Sequence, residues 1–270
     1  MIDSSQTLVA GATRRKFLWV ASLALGATVV GCGGGSAESA PEPATGGPPP
    51  APAPGPAPVP SPPSPAPPPG SATRYTTSFD TSETPLSEGG AWVRRATAWK
   101  AVAARSGHVG PSANVGSHFD DCYAHVSGFG ADQQVEATIY KGAATGGEVE
   151  LLLRVTDTAT TVSCYECLFN VGGGVEIVRW NGPLDDFTYI GNVLSTPSDA
   201  RDGDKLRARI VGQSIEFFYI PGGTGTPQLI ATATDTSAQR LTSGDPGIAF
   251  FQRSPGSLDY GFKDFSATAL

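Results

Sequence analysis

The sequence has 270 residues, a formal net charge of −7, 24 prolines and 34 glycines. Three basic and three acidic residues in the first 73 positions cancel, so the whole negative charge belongs to the remaining chain. A nucleic-acid-binding protein needs clustered cations to displace counterions from phosphates. No such cluster occurs, and we therefore expect no nucleic-acid partner.

Residues 1–31 have the order of a secretory signal peptide. Arg14, Arg15 and Lys16 precede an uncharged, mostly apolar stretch that ends in small residues. The stretch is too short for a membrane-spanning helix. Paired arginines followed by Phe17 and Leu18 resemble a twin-arginine export signal, and an ordinary secretory signal is the alternative.

The residues around Cys32 carry a second resemblance. Val29-Val30-Gly31-Cys32 resembles the lipobox of bacterial lipoproteins, which implies cleavage before Cys32 and lipid attachment to its thiol. Several acyl chains on one residue give lasting membrane attachment, so the membrane is an expected partner. Gly33 after the cysteine favours the outer membrane, on its periplasmic or surface face. Residues 32–73 are then the lipid anchor and a disordered, Pro/Gly-rich linker that serves as a spacer of up to ~90 Å.

Residues 74–270 form the predicted folded domain, and their apolar residues mostly alternate with polar ones, which indicates β-strands. In 134–140 the alternation places Val135, Ala137 and Ile139 on one face. In 148–155 it places Val149, Leu151, Leu153 and Val155 on one face, with Glu150, Leu152 and Arg154 opposite. The runs 205–211 and 214–220 predict a hairpin around Gly212-Gln213. Residues 91–104 fit either a helix or irregular strands, with Trp92 and Trp99 in packing positions. The sequence therefore predicts an all-β domain made of two antiparallel sheets.

Five short motifs resemble the concanavalin A-like (laminin G-like) jelly-roll family, and together they span about residues 75–270. They are Asp121–Val126, Gly203–Ala208, Gly212–Ile215, Ser243–Ala249 and Asp264-Phe265. The resemblance implies a two-sheet antiparallel jelly-roll sandwich. That family contains lectin-like modules, glycoside hydrolases and polysaccharide lyases, so the fold alone does not select a function.

No catalytic motif of these enzymes is matched. The acidic run Glu-x-Asp-x-x-Glu, known from glycoside hydrolases of this fold, is absent, and we interpret Glu148 and Glu150 as solvated residues beside a turn. A polysaccharide lyase instead needs a tyrosine or histidine base and a group that neutralises a uronate. Tyr123 and His125 share a strand face, and Arg154 and Arg179 could join them from neighbouring strands.

The same side chains could bind a glycan without cleaving it, because sugar rings stack on aromatic rings and polar groups hold hydroxyls. This non-catalytic carbohydrate- or envelope-binding module is the preferred interpretation. A polysaccharide-degrading enzyme and a structural or protein-binding envelope module are the alternatives. The candidate ligand-binding residues are Tyr123, His125, Arg154, Tyr165, Arg179, Trp180 and Tyr189.

The remaining cysteines and acids give weaker predictions. An exported domain encounters oxidising conditions, so a disulfide from Cys122 to Cys164 or Cys167 is expected, which leaves one thiol over. The CxxC spacing of Cys164 and Cys167 falls in a strand-like run, unlike a redox motif. No cofactor motif occurs. Calcium is the one candidate, with Asp80 and Asp264 near domain ends that we expect to meet, but two acids are too few for a site.

Overall fold

The computed structural model describes residues 73–113, 121–144, 146–251 and 257–270. The predicted signal peptide, Cys32 and almost all of the linker lie outside these residues. Within the described part of the chain, no helix has the length and apolar character needed to cross a membrane. The strands of the described residues are, in chain order, β1 Arg74–Thr77, β2 Trp92–Val93, β3 Val102–Arg105, β4 His108–Pro111, β5 Cys122–Val126, β6 Gln133–Lys141, β7 Glu148–Asp157, β8 Val162–Asn170, β9 Val175–Gly182, β10 Phe187–Tyr189, β11 Gly191–Val193, β12 Lys205–Val211, β13 Ser214–Ile220, β14 Gln228–Thr234, β15 Asp245–Phe251, β16 Tyr260–Phe262 and β17 Phe265–Ala269.

These strands form two antiparallel sheets that pack face to face. A seven-stranded sheet has the order β10-β9-β8-β7-β15-β5-β2, and a ten-stranded sheet runs β11-β14-β13-β12-β6-β16-β4-β3, with β17 and β1 continuing from β6. One hydrophobic core joins both sheets, with residues such as Ile139, Phe217 and Phe250 fully buried in it. The predicted all-β, two-sheet jelly-roll sandwich is confirmed. Residues 91–104 contain β2 and part of β3 and no helix, so the strand alternative is the right one.

The alternation predicted for individual strands holds where the pairing is regular. Val135, Ala137 and Ile139 of β6 are all fully buried, while their neighbours Gln134, Glu136 and Thr138 are partly exposed. The hairpin of β12 and β13 pairs Val211 with Ser214, so Gly212 and Gln213 form its two-residue loop. Gly212 has a φ of 58°, which such a loop requires and which glycine adopts without strain.

The alternation predicted for β7 fails at Arg154. Leu151 and Leu153 face the core between the sheets, but Val155 packs with Leu152 on the opposite face. The cause is a bulge: the register with β8 shifts between Leu153 and Thr156, and Arg154 has a left-handed φ of 53°. The placement of Val155 on the same face as Leu151 and Leu153 is therefore wrong, because one inserted residue reverses every face that follows it.

The two ends of the domain meet, as expected. β1 pairs with β17 along its whole length, from Arg74 opposite Thr268 to Thr77 opposite Phe265. The amide of Ala269 donates to the carbonyl of Thr73 at 2.9 Å, and the amide of Leu270 donates to that of Asp132 at 3.0 Å. The first and last described residues therefore lie beside the start of β6.

Candidate functional site

One end of the sandwich carries a pocket of about 260 Å³. We call it the end pocket. It forms where the β12–β13 turn, the segment before β6 and the segment between β14 and β15 come together over the bulge of β7. Its lining residues are Ala131, Asp132, Arg154, Tyr165, Gly212, Gln213, Asp235, Arg240, Leu241 and Thr242.

Arg154 forms the base of the end pocket and ties its loops together. The side chain is buried, and its Nε donates to the carbonyl of Ala131 at 2.6 Å. Nη1 donates to the carbonyl of Leu241 at 2.6 Å and Nη2 to that of Gly212 at 2.8 Å. Nη2 also lies 3.3 Å from Oδ1 of Asp132. One guanidinium thus holds three segments that are far apart in sequence, which makes the pocket wall rigid.

Gly244 shows why the bulge and the neighbouring segment pack so closely. A Cβ added to Gly244 would lie 2.5 Å from the carbonyl oxygen of Arg154 and 2.7 Å from that of Val155. Its φ of 131° is also one that a side chain rarely allows. Only glycine fits at this position.

A buried polar network forms the wall beside Arg154. The hydroxyl of Tyr165 donates to Oδ2 of Asp235 at 2.9 Å, and Nη1 of Arg179 donates to the same oxygen at 2.8 Å. The amide of Leu241 donates to the Tyr165 hydroxyl at 2.9 Å. Arg179 also donates to Ser237 Oγ at 2.5 Å. Tyr165 and Arg179, two of the predicted ligand-binding residues, are therefore brought together on Asp235. Arg154, a third, joins them through Leu241, whose carbonyl accepts from Arg154 and whose amide donates to Tyr165.

The pKa values in this network follow from burial and from these bonds. Burial, assisted by the nearby Asp235 carboxylate, raises the pKa of Tyr165 to about 12, so its hydroxyl stays protonated at neutral pH. Burial also opposes ionisation of Asp235. Hydrogen bonds from Ser237 and Arg179 outweigh that effect and lower the pKa of Asp235 below its ordinary value. The network thus contains a neutral tyrosine and an ionised aspartate that is paired with an arginine.

The mouth of the end pocket is polar and open to solvent. Gln213, Arg240 and Thr242 are all exposed there. Their side chains carry hydrogen-bond donors and acceptors that can reach a ligand without giving up a buried partner. The pocket therefore combines a fixed floor with adaptable polar groups at its rim.

Tyr123 and His125 lie elsewhere, on the face of the seven-stranded sheet that is turned away from the core between the sheets. We call this the outer face. The Tyr123 hydroxyl donates to Oδ2 of Asp157 at 2.7 Å and accepts from the amide of Ala96 at 3.0 Å. His125 lies between two carboxylates, with Nε2 3.3 Å from Oδ1 of Asp157 and Nδ1 3.6 Å from Oδ2 of Asp245. The predicted lyase set of Tyr123, His125, Arg154 and Arg179 is thus divided between the outer face and the end pocket.

The pKa values of the outer-face groups follow their burial. Burial lowers the pKa of His125 below its ordinary value of 6.5, although Asp157 and Asp245 act in the other direction. Burial also raises the pKa of Tyr123, and its hydrogen bond to Asp157 adds to this effect. Burial opposes ionisation of Asp157. Bonds from Tyr123 and Arg95 outweigh it and lower the pKa of Asp157. At neutral pH His125 is therefore a neutral imidazole and Tyr123 a neutral phenol, and both lie beside the ionised carboxylate of Asp157.

The predicted aromatic residues differ sharply in accessibility. Trp180 is only 4% exposed, stacks on Trp99 with ring centroids 6.0 Å apart, and donates its indole N–H to Glu166. Trp99 meets Tyr123 edge to face at 6.2 Å, so all three rings belong to one packed outer-face cluster. Tyr189, on the edge strand β10, is 41% exposed and meets Phe187 edge to face. Of the four predicted sugar-stacking aromatics, only Tyr189 presents a large exposed surface.

The interpretation of Glu148 and Glu150 as solvated side chains is wrong. Glu148 is 4% exposed and Glu150 is fully buried, and both lie on the outer face. Strand pairing places Leu168 of β8 between Glu150 of β7 and Glu176 of β9. The buried Glu166 lies two residues before Leu168 on β8, so it is a diagonal neighbour of Glu150 and of Glu176. The sequence did contain a signal of this burial, since Glu148 and Glu150 share a strand face with the apolar Leu152. A strand that is buried on both faces buries both sets of its alternating residues.

The predicted disulfide is also wrong. No disulfide joins Cys122, Cys164 and Cys167 in the described structure. Cys122 and Cys167 both face the core, but β5 and β8 are separated by β15 and β7, which puts the two backbones about 14 Å apart. Disulfide-bonded Cα atoms lie within ~7 Å of one another. Cys164 belongs to the outer-face cluster instead, on the opposite side of the sheet from the other two.

The two calcium candidates do not form a metal site in the described part of the chain. Asp264 accepts hydrogen bonds from the amide and the hydroxyl of Thr138, both at 2.8 Å, and Asp80 accepts from Ser78 at 3.0 Å. Among the described residues, no group of three or more histidine, cysteine or acidic side chains could hold a metal ion. Asp264 therefore supports the backbone of β6.

No protein-family model and no curated protein matches this sequence. Solved structures with similar folds include the carbohydrate-binding module CBM66 from Bacillus subtilis, with 15% identity over 68% of this chain and 95% of that one and a TM-score of 0.40. The VIP36 exoplasmic/lumenal domain, bound to Ca²⁺ and Man3GlcNAc, has 11% identity over 70% and 91% of the two chains and a TM-score of 0.49. The GH43 protein BlXynB from Bacillus licheniformis has 14% identity over 72% of this chain and a TM-score of 0.47, and the alignment spans only 39% of BlXynB.

Proposed function

We propose that this protein is an envelope-tethered lipoprotein whose β-sandwich binds carbohydrate without cleaving it, and that a sugar residue occupies the end pocket. The end pocket is the observation that carries the proposal. Its volume of about 260 Å³ lies just below the range typical of drug-sized ligands, which suits a single sugar ring or the end of a glycan chain.

The buried groups of the end pocket favour binding. Arg154 and the Tyr165–Asp235–Arg179 network are fixed by their own hydrogen bonds, so a ligand does not have to order them. A site that is organised in advance avoids part of the entropic cost of association. The exposed Gln213 and Thr242 can then hydrogen-bond sugar hydroxyls.

A glycan-binding panel tests this proposal, with the purified full chain and hits confirmed by calorimetry. We expect Gln213→Ala to weaken binding several-fold, because a ligand hydroxyl loses its amide partner. Arg201→Gln is the matched control. Arg201 is exposed and precedes β12, whereas the pocket turn follows β12 at its other end. Binding that Gln213→Ala leaves unchanged would place the glycan elsewhere, and a panel without hits would favour a structural or protein-binding role.

The tether is tested separately from the sugar site. Cys32→Ala should abolish incorporation of a labelled fatty acid and move the protein from the membrane to the soluble fraction. Separation of inner and outer membranes then checks the proposed outer-membrane location. Labelling that survives Cys32→Ala would contradict lipidation at this residue.

A further inference from the structure

The end pocket carries a small excess of positive charge in a domain that is negative as a whole. Three arginines, Arg154, Arg179 and Arg240, lie at or directly behind it, against two aspartates, Asp132 and Asp235. The Arg179–Asp235 pair is close, with 2.8 Å between Nη1 and Oδ2, and largely cancels. The three cations against two anions leave one positive charge.

The positive charge of Arg154 is only partly neutralised by Asp132. Its guanidinium donates mainly to three neutral backbone carbonyls, and its ion pair with Asp132 is long at 3.3 Å. Oδ1 of Asp132 also accepts the amide of Gly212 at 2.8 Å, and the Asp132 side chain is 39% exposed. Part of the Arg154 charge therefore stays uncompensated beneath the pocket.

Arg240 supplies the cation that a ligand can reach. It is exposed at the mouth, and no carboxylate of the described residues lies within ion-pair distance of it. A guanidinium presents paired N–H donors whose geometry matches a carboxylate, so an incoming carboxylate can accept two parallel bonds. Arg154 beneath and Arg240 above would then flank the same negative group.

We propose that the end pocket selects sugars that carry a carboxylate, namely uronates, over neutral sugars, and that Arg240 determines this specificity. The inference rests on the proposed function, since it names the class of sugar that the same pocket takes. Gln213 and Thr242 would contact hydroxyl groups that uronates and neutral hexoses share, so they provide affinity without this discrimination.

The test compares methyl glucuronide with methyl glucoside by calorimetry on the full chain at low and moderate salt. We expect the glucuronide to bind at least about tenfold more tightly at low salt, with the preference reduced by added salt. Arg240→Gln should lower the preference below about threefold. Arg240→Lys should restore part of it, and Arg201→Gln should keep all of it.

The outcomes separate this inference from the proposed function. Equal binding of both sugars by the unmodified chain would overturn the inference and leave sugar binding intact. A preference that survives Arg240→Gln would overturn the role of Arg240. Binding of neither these sugars nor any glycan of the panel would remove the proposed function as well.

Discussion

Replacing Arg154 with methionine should destabilise the domain strongly, because one buried guanidinium holds the end pocket together. The substitution preserves most of the side-chain volume but removes donors to the carbonyls of Ala131, Gly212 and Leu241. A hydrogen bond to a charged group contributes ~1.5–3 kcal/mol. The three contributions are not additive, and water can reach partly buried carbonyls in their place. We therefore expect the free energy of unfolding to fall by about 3–5 kcal/mol, out of a typical 5–15 kcal/mol.

Urea denaturation followed by tryptophan fluorescence measures this loss. Arg209→Met is the matched control, since Arg209 pairs with Glu216 at 3.2 Å while both side chains are about 40% exposed, at 43% and 37%. A surface pair of this kind contributes ~0–1 kcal/mol. A loss below about 1 kcal/mol for Arg154→Met, or equal losses for both variants, would show that the guanidinium does not hold the three segments.

Three further predictions concern other parts of the domain. The pKa of His125 is lowered in the folded state, so its neutral form contributes stability that is complete above pH 6.5 and declines as the pH falls further. His125→Gln should flatten this decline, which can reach ~1.4 kcal/mol per pH unit, in urea titrations from pH 7.5 to 5. An unchanged slope would contradict this role of His125. Gly244→Ala should lower the free energy of unfolding by more than about 2 kcal/mol, because the methyl group would lie 2.5 Å from the backbone of the β7 bulge, and a neutral effect would mean that the bulge relaxes. Thiol titration without reductant should show Cys122, Cys164 and Cys167 all unreactive in the folded domain and all reactive in urea. If only one of these three thiols reacted in urea, the predicted disulfide would be supported after all.

The sequence was sufficient for those parts of the fold that depend on residues close together in the chain. The faces of β6 and the β12–β13 hairpin follow from alternation and from one two-residue turn, and both predictions are confirmed. The bulge at Arg154 was not predictable, because β7 is buried on both faces there and the reversal of faces therefore does not show in the pattern of apolar and polar residues.

The candidate site was predicted less completely than the fold. Arg154, Tyr165 and Arg179 were identified and lie together, but Asp132, Asp235 and Arg240 were missed, because loops distant in sequence bring them to the pocket. The disulfide prediction failed for a related reason: pairing requires the order of strands in the sheet, which spacing along the chain does not contain.

The short ladder between β1 and β17 has a mechanical consequence. The polypeptide enters the sandwich at Thr73, and β1 and the end pocket share the end at which β6 begins. Tension applied through the N-terminal segment and resisted by a ligand in the pocket would enter the sandwich through β1 and β17 and leave it through the pocket loops at the same end. It would load the bond between the Thr73 carbonyl and the Ala269 amide first and the Arg74–Thr268 pair next, so the four-residue strand β1 is the first element at risk of detaching.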